Sequence, residues 1–185
     1  MTGGGDAAGP ADVLAFWRGA GPDKWFKKDT AFDAEIVRRF HTLWQAAAAG
    51  ELAAWEATPE SALALVLVLD QFPRNMFRGG GRTYETDALA RAVADRAVAR
   101  GFDQQIAHAD RRFLYMPFMH SEILADQEHC VDLAHTYGDD DFTKYAVQHA
   151  DIVRRFGRFP HRNAILGRAT SPAEQAFLDE GGFAG

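Results

Sequence analysis

The chain has 185 residues, 47% of them hydrophobic and 25% charged, a composition ordinary for one globular domain with short tails. A net charge of −6 argues against a nucleic-acid partner held through a broad basic face, and no apolar run approaches the roughly 18 residues that cross a bilayer. A single cysteine, Cys130, excludes an internal disulfide framework and a multi-cysteine zinc site.

Residues 1–9 are rich in Gly and Ala and read as a flexible tail, ahead of one all-α domain over 10–185. The first dozen residues carry neither the basic nor the apolar region of a secretion signal, so a cytoplasmic location is the expectation. A first helix is predicted over Pro10–Arg18, then a loop holding Trp25 and Phe26. Phe32, Ile36, Phe40, Leu43 and Trp44 recur at three- and four-residue steps, which predicts a helix ending before Gly50. A short turn carries Leu52 and Trp55. Thr58-Pro59 supplies an N-cap and a first-turn proline for a helix that is apolar on every side from Leu63 to Leu69. A strand is the competing reading of that run; the Thr-Pro start and the Leu and Ala content favour a central buried helix, ended by Pro73. An irregular stretch follows. A helix is predicted from about Tyr84 to Arg100, closed by Gly101. A short helix from Asp110 should lead through Pro117 into a long one ending at Gly138, with Met119, Ile123, Cys130, Leu133, Ala134 and Tyr137 as its stripe. Asp139 to Asp141 suit the N-terminus of a helix running to Phe156, and Ser171 with Glu174 makes a capping box for a terminal helix. Antiparallel helix pairs of this kind form a bundle or a short solenoid, although no internal repeat of about 34 residues is visible.

Four places put polar groups where the pattern predicts burial. Asp70, in Asp70-Gln71-Phe72-Pro73-Arg74-Asn75, ends the most apolar helix, so its carboxylate needs a partner, with Arg74 and Arg78 nearest. His120 and Glu122 follow Pro117 among apolar residues. His149 falls inside the stripe stepping 142, 145, 149, 152, 156. Finally, Arg155-Phe-Gly-Arg158-Phe-Pro-His161-Arg162-Asn163 interleaves planar guanidinium groups, which suit carboxylate or phosphate, with Phe, Gly and Pro. Each also has a structural reading, as a buried ion pair or a core histidine bonded to a carbonyl. No two histidines have the His-x-x-x-His spacing, so no metal site is expected. Gly79-Gly80-Gly81 lacks the Lys-Ser/Thr of a phosphate loop, so no cofactor is expected either. Cys130 reads as a small core residue.

At these motifs the chain resembles the bacterial family catalogued as domain of unknown function 924. The motifs are DQFPRNMFRG at 70–79, RRFLYMPFMHSE at 111–122 and RFGRFPHRNAILGR at 155–168, supported by WFKKDTAFDAEI at 25–36 and SPAEQAFL at 171–178. The resemblance runs from about Val13 onward and implies an all-α fold of the tetratricopeptide-like superfamily. It implies no reaction. The Gly79–Gly81 run and Tyr84, where the family usually has Phe, depart from its pattern.

Three functions compete. In the first, Arg74, Arg78, Arg158 and Arg162 hold a small anionic molecule, carboxylate or phosphate, in one pocket. Asp70, Asn75 and Asn163 help to line it. His120, His149 or His161 moves a proton, with Glu122 or Asp70 orienting the imidazole, in hydrolysis or another acid–base reaction. In the second, the same arginines clamp the terminal carboxylate of a peptide on a helical scaffold. In the third, the polar groups form a buried network that specifies packing.

Overall fold

The structure is a computed structural model that describes residues 8–183, and every regular element among them is helical. The tail expected over 1–9 lies, in residues 1–7, outside the described residues. The helices are α1 (Pro10–Ala20), α2 (Pro22–Trp25), α3 (Thr30–Ala48), α4 (Pro59–Val66), α5 (Phe72–Met76), α6 (Asp87–Ala99), α7 (Arg111–Met119), α8 (Leu124–Tyr137), α9 (Asp140–Phe156) and α10 (Pro172–Asp179). Short 3-10 turns fill several of the connections.

Local chemistry explains most of the boundaries. The Asp29 carboxylate accepts from the N–H groups of Ala31 and Phe32 and starts α3, whose buried face is the expected stripe of Phe32, Ile36, Phe40, Leu43 and Trp44. Thr58 caps α4, with Pro59 in its first turn. From Ala62 to Phe72 every residue is buried, so the central-helix reading holds and the strand reading falls. α1, α6 and α7 pack on α4, α3 packs on α5, and α7, α8 and α9 pack in succession.

Two boundaries differ from the sequence expectation. Pro73 does not end its helix. Leu67–Gln71 form a π-helical turn, in which the Phe72 N–H reaches the Leu67 carbonyl, and the chain continues into α5. Proline lacks an N–H and crowds the carbonyl four residues back; the wider turn just before it carries the helix past that position. Nor does the short helix give way to the long one at Pro117. Pro117 sits inside α7, and the break falls at 120–123 instead. There the Gln127 amide donates to the carbonyls of Met119 and Ser121 at 2.7 and 2.6 Å, satisfying the end of α7 from the first turn of α8. Ile123, expected in the stripe, is exposed in this break. In α9, His149 is buried as expected, but Tyr145 is 53% exposed, so the stripe passes through Ala146 rather than Tyr145.

The main core takes side chains from α1 to the start of α9. A second, smaller cluster of Ile152, Val153 and Phe159, with Leu124, Phe156, Phe177 and Phe183 against it, joins the end of α9 to α10. Gly157, at φ 71°, makes the left-handed turn that sends the chain out of α9 into this cluster.

Candidate functional site

The π turn delivers Asp70 to the centre of a polar cluster. Its carboxylate has no exposed surface. One oxygen faces His120 Nδ1 at 2.8 Å and Arg74 Nη1 at 3.3 Å; the other accepts from the Gln71 amide at 2.6 Å. Burial alone would raise the pKa of this carboxyl. The Arg74 and His120 interactions outweigh it and hold the group ionised, below the usual carboxylate range. An ionised carboxylate only accepts, so the His120 Nδ1 carries the proton. Burial and the Arg74 charge together push the His120 pKa down against the pull of Asp70. The imidazole is therefore neutral near pH 7, with its lone pair on Nε2. Its side chain keeps 15% exposure, a path to water.

Arg74 is tied off by a two-pronged pair with Asp87, at 2.9 and 3.1 Å, and by the Asp70 carbonyl at 2.6 Å. Arg162 is held differently. It is 7% exposed, and its guanidinium lies 4.5 Å from both the Tyr84 and the Phe159 ring centres. It donates to the His120 carbonyl at 3.0 Å, but the nearest carboxylate, Asp87, is 3.9 Å away and already engaged by Arg74. Its Nε is buried without a partner. Burial and the neighbouring Arg74 lower its pKa. Such a guanidinium retains unused capacity for an anion.

Two more imidazoles adjoin it. His149 Nδ1 lies 2.8 Å from the Tyr145 carbonyl, and burial pushes its pKa down to about 4. His161 is also pushed down to about 4, by burial and then by Arg162, and its Nδ1 is buried without a partner. The Phe183 ring rests on both, at 4.5 and 5.2 Å between centroids.

The other expected site residues are engaged inside the protein. Asn75 and Arg78 both donate to Asp33, Arg78 through two bonds of 2.9 Å. Arg158 grips Glu174 at 2.6 and 2.8 Å. Glu122 does not touch an imidazole: it accepts two bonds from Arg168 and one from the Phe159 N–H. Asn163 is fully buried and accepts from Arg168 Nε. The structure thus brings Asp70, Arg74, His120, His149, His161 and Arg162 together, while Asn75 and Arg78 are engaged by Asp33 and Arg158 by Glu174. Among the described residues no group of three or more His, Cys, Asp or Glu side chains is placed to hold a metal ion, and no helix is long and apolar enough to cross a membrane.

The family described as Bacterial protein of unknown function (DUF924) matches residues 13–182. The chain belongs to this family. It is also similar to a solved structure, "Structure of Protein of Unknown Function ATU0120 from Agrobacterium tumefaciens", with 51% identity and a TM-score of 0.90 over 92% of this chain and 97% of that one. No curated protein matches. In this DUF924 chain, sequence reasoning missed three residues of the cluster. Asp87 reads as an ordinary helix-start acid, and Arg168 as the end of a motif. Tyr84, one of the departures from the family pattern, turns out to stack on Arg162. Arg168 carried a signal through its place in the 155–168 motif and Tyr84 as a departure from the family pattern; Asp87 carried none.

Proposed function

We propose that this cluster binds a small anionic molecule at Arg162 and that His120 acts on it as a general base. The observation that carries the reading is the buried Arg162 guanidinium with an unpartnered Nε and no carboxylate closer than 3.9 Å. Arg74, Arg78, Arg158 and Arg168, by contrast, are each closed by a near carboxylate. Beside it, Asp70 fixes the His120 ring with Nδ1 protonated, which leaves Nε2 to accept a proton from water or from the bound molecule. Proton abstraction and water-mediated hydrolysis are the reactions this arrangement supports. Arg74 and Asp87 serve as the frame: they fix Asp70 and the start of α6.

The test is ligand-induced stabilisation across a panel of small carboxylates and phosphates. At a hundred times its dissociation constant a ligand adds about 2.7 kcal/mol to unfolding, well within reach of a melting curve. Wild type should be stabilised by at least one class of anion. Arg162→Lys, which keeps the charge but loses the fork, should fold and lose that response, and His120→Gln should keep binding while losing turnover. If no anion stabilises wild type, or Arg162→Lys responds as wild type does, the reading is wrong.

A further inference from the structure

We infer that the anion bound at Arg162 enters with one proton, and that His161 takes it up and donates through Nδ1 to the bound ligand. The inference rests on the anion-binding reading of Arg162 and adds how the charge is balanced. Around the site the formal charges already cancel: Arg74 and Arg162 stand against Asp70 and Asp87, and Glu122 is closed by Arg168. A further negative charge would be buried uncompensated unless a positive one came with it. The only groups in the cluster able to gain charge near neutral pH are its three histidines.

Geometry selects among them. His120 Nδ1 is engaged by Asp70, and His149 Nδ1 by the Tyr145 carbonyl. His161 alone of the three has a buried ring nitrogen without a partner. It neighbours Arg162 in sequence, and both side chains lie against the Phe159 ring. The charged and titratable groups facing it are Arg162 on its own turn, Glu122 from the break before α8, Arg168 from the following loop, and His149 on α9. Without ligand, burial, Arg162 and Arg168 outweigh Glu122 and keep the ring neutral. An anion at Arg162 cancels the largest repulsion and supplies an acceptor for Nδ1. Both changes favour the protonated ring.

Sulfate and methanesulfonate are suitable probes, because neither changes charge between about pH 5.5 and 8.5, where histidine titrates. Histidine ring resonances of the wild-type protein, followed by NMR through that range with and without saturating probe, show which imidazole titrates there only when the probe is bound. The expected result is a His161 midpoint raised from about 4 into that range, with affinity improving up to tenfold per unit of falling pH below the raised midpoint. His161→Gln should still bind at the alkaline end and lose the pH dependence. If neither probe binds at any pH, the Arg162 reading itself fails and the inference goes with it. If a probe binds with pH-independent affinity and an unmoved His161, only the inference falls. A midpoint shift confined to His120 or His149 overturns the assignment to His161.

Discussion

At the scale of single residues, the buried histidines set the acid sensitivity of the protein. His149 and His161 are held at about 4, against an unfolded value near 6.5. Below about 6.5 the unfolded chain takes up protons that the folded chain refuses, so stability falls as pH drops toward 4 and is regained above it. His149 contributes on the order of 3 kcal/mol over that window, and the less buried His161, partly screened by water, contributes less. Urea midpoints measured from pH 7 to 4 should decline steadily, and His149→Gln should flatten part of the slope. A flat wild-type profile would show that the rings are not held neutral. Asp70→Asn makes a separate point. Breaking a buried pair costs about 3–5 kcal/mol, and Arg74 keeps Asp87, so the loss should fall near the lower end. The sharper readout is tautomeric: without an ionised Asp70, nitrogen shifts of His120 should no longer report a proton fixed on Nδ1. His149 was legible in the sequence because a helical stripe has a fixed step. The His120–Asp70 partnership was not, because it spans fifty positions and depends on where two helix ends meet.

At the scale of elements, caps and periodicity made most helices legible. Thr58-Pro59, Asp139 and the Ser171–Glu174 box start helices where expected, and Gly138 and Gly157 end them in left-handed turns. The π turn was not legible. An uninterrupted apolar run has no period to reveal a change from four- to five-residue spacing, and Pro73 signals a stop that the wider turn circumvents. The break at 120–123 was hidden for a related reason, since Gln127 closes α7 by a side-chain bond that no cap signature announces. The turn at Gly157 lends itself to a direct check. A Cβ there would meet no atom within 4 Å, so the cost of Gly157→Ala comes from its φ of 71° alone. That cost is about 1–2 kcal/mol. Thermal melts should show this loss with the helix content unchanged, whereas a neutral substitution would mean that the backbone relaxes out of the left-handed region.

At the scale of the whole molecule, the candidate site lies where two unequal hydrophobic clusters meet. Asp70, Arg74 and His120 stand on helices of the main core, while His149, His161 and Arg162 belong to the segment around Ile152, Val153 and Phe159. The sequence showed that polar groups were out of place in four stretches, but not which of them would converge. Arg78 and Arg158 read as anion-binding candidates beside Arg162, but in the folded chain they have Asp33 and Glu174 within reach. The smaller cluster has three buried hydrophobic residues and is fastened to the rest by Arg168 on Glu122 and by the Phe159 N–H on the same carboxylate. Few buried apolar contacts make a low-stability unit, so residues 157–183 should open as a unit below the global unfolding energy, exposing the His161 side of the site. Native-state hydrogen exchange should therefore be faster in that segment than in α4. Arg168→Ala should speed it a further tenfold, about 1.4 kcal/mol of opening energy, and leave α4 unchanged. A single exchange rate common to α4 and the 157–183 segment would mean that the two clusters unfold together, and that ligand must reach Arg162 by the His120 side instead.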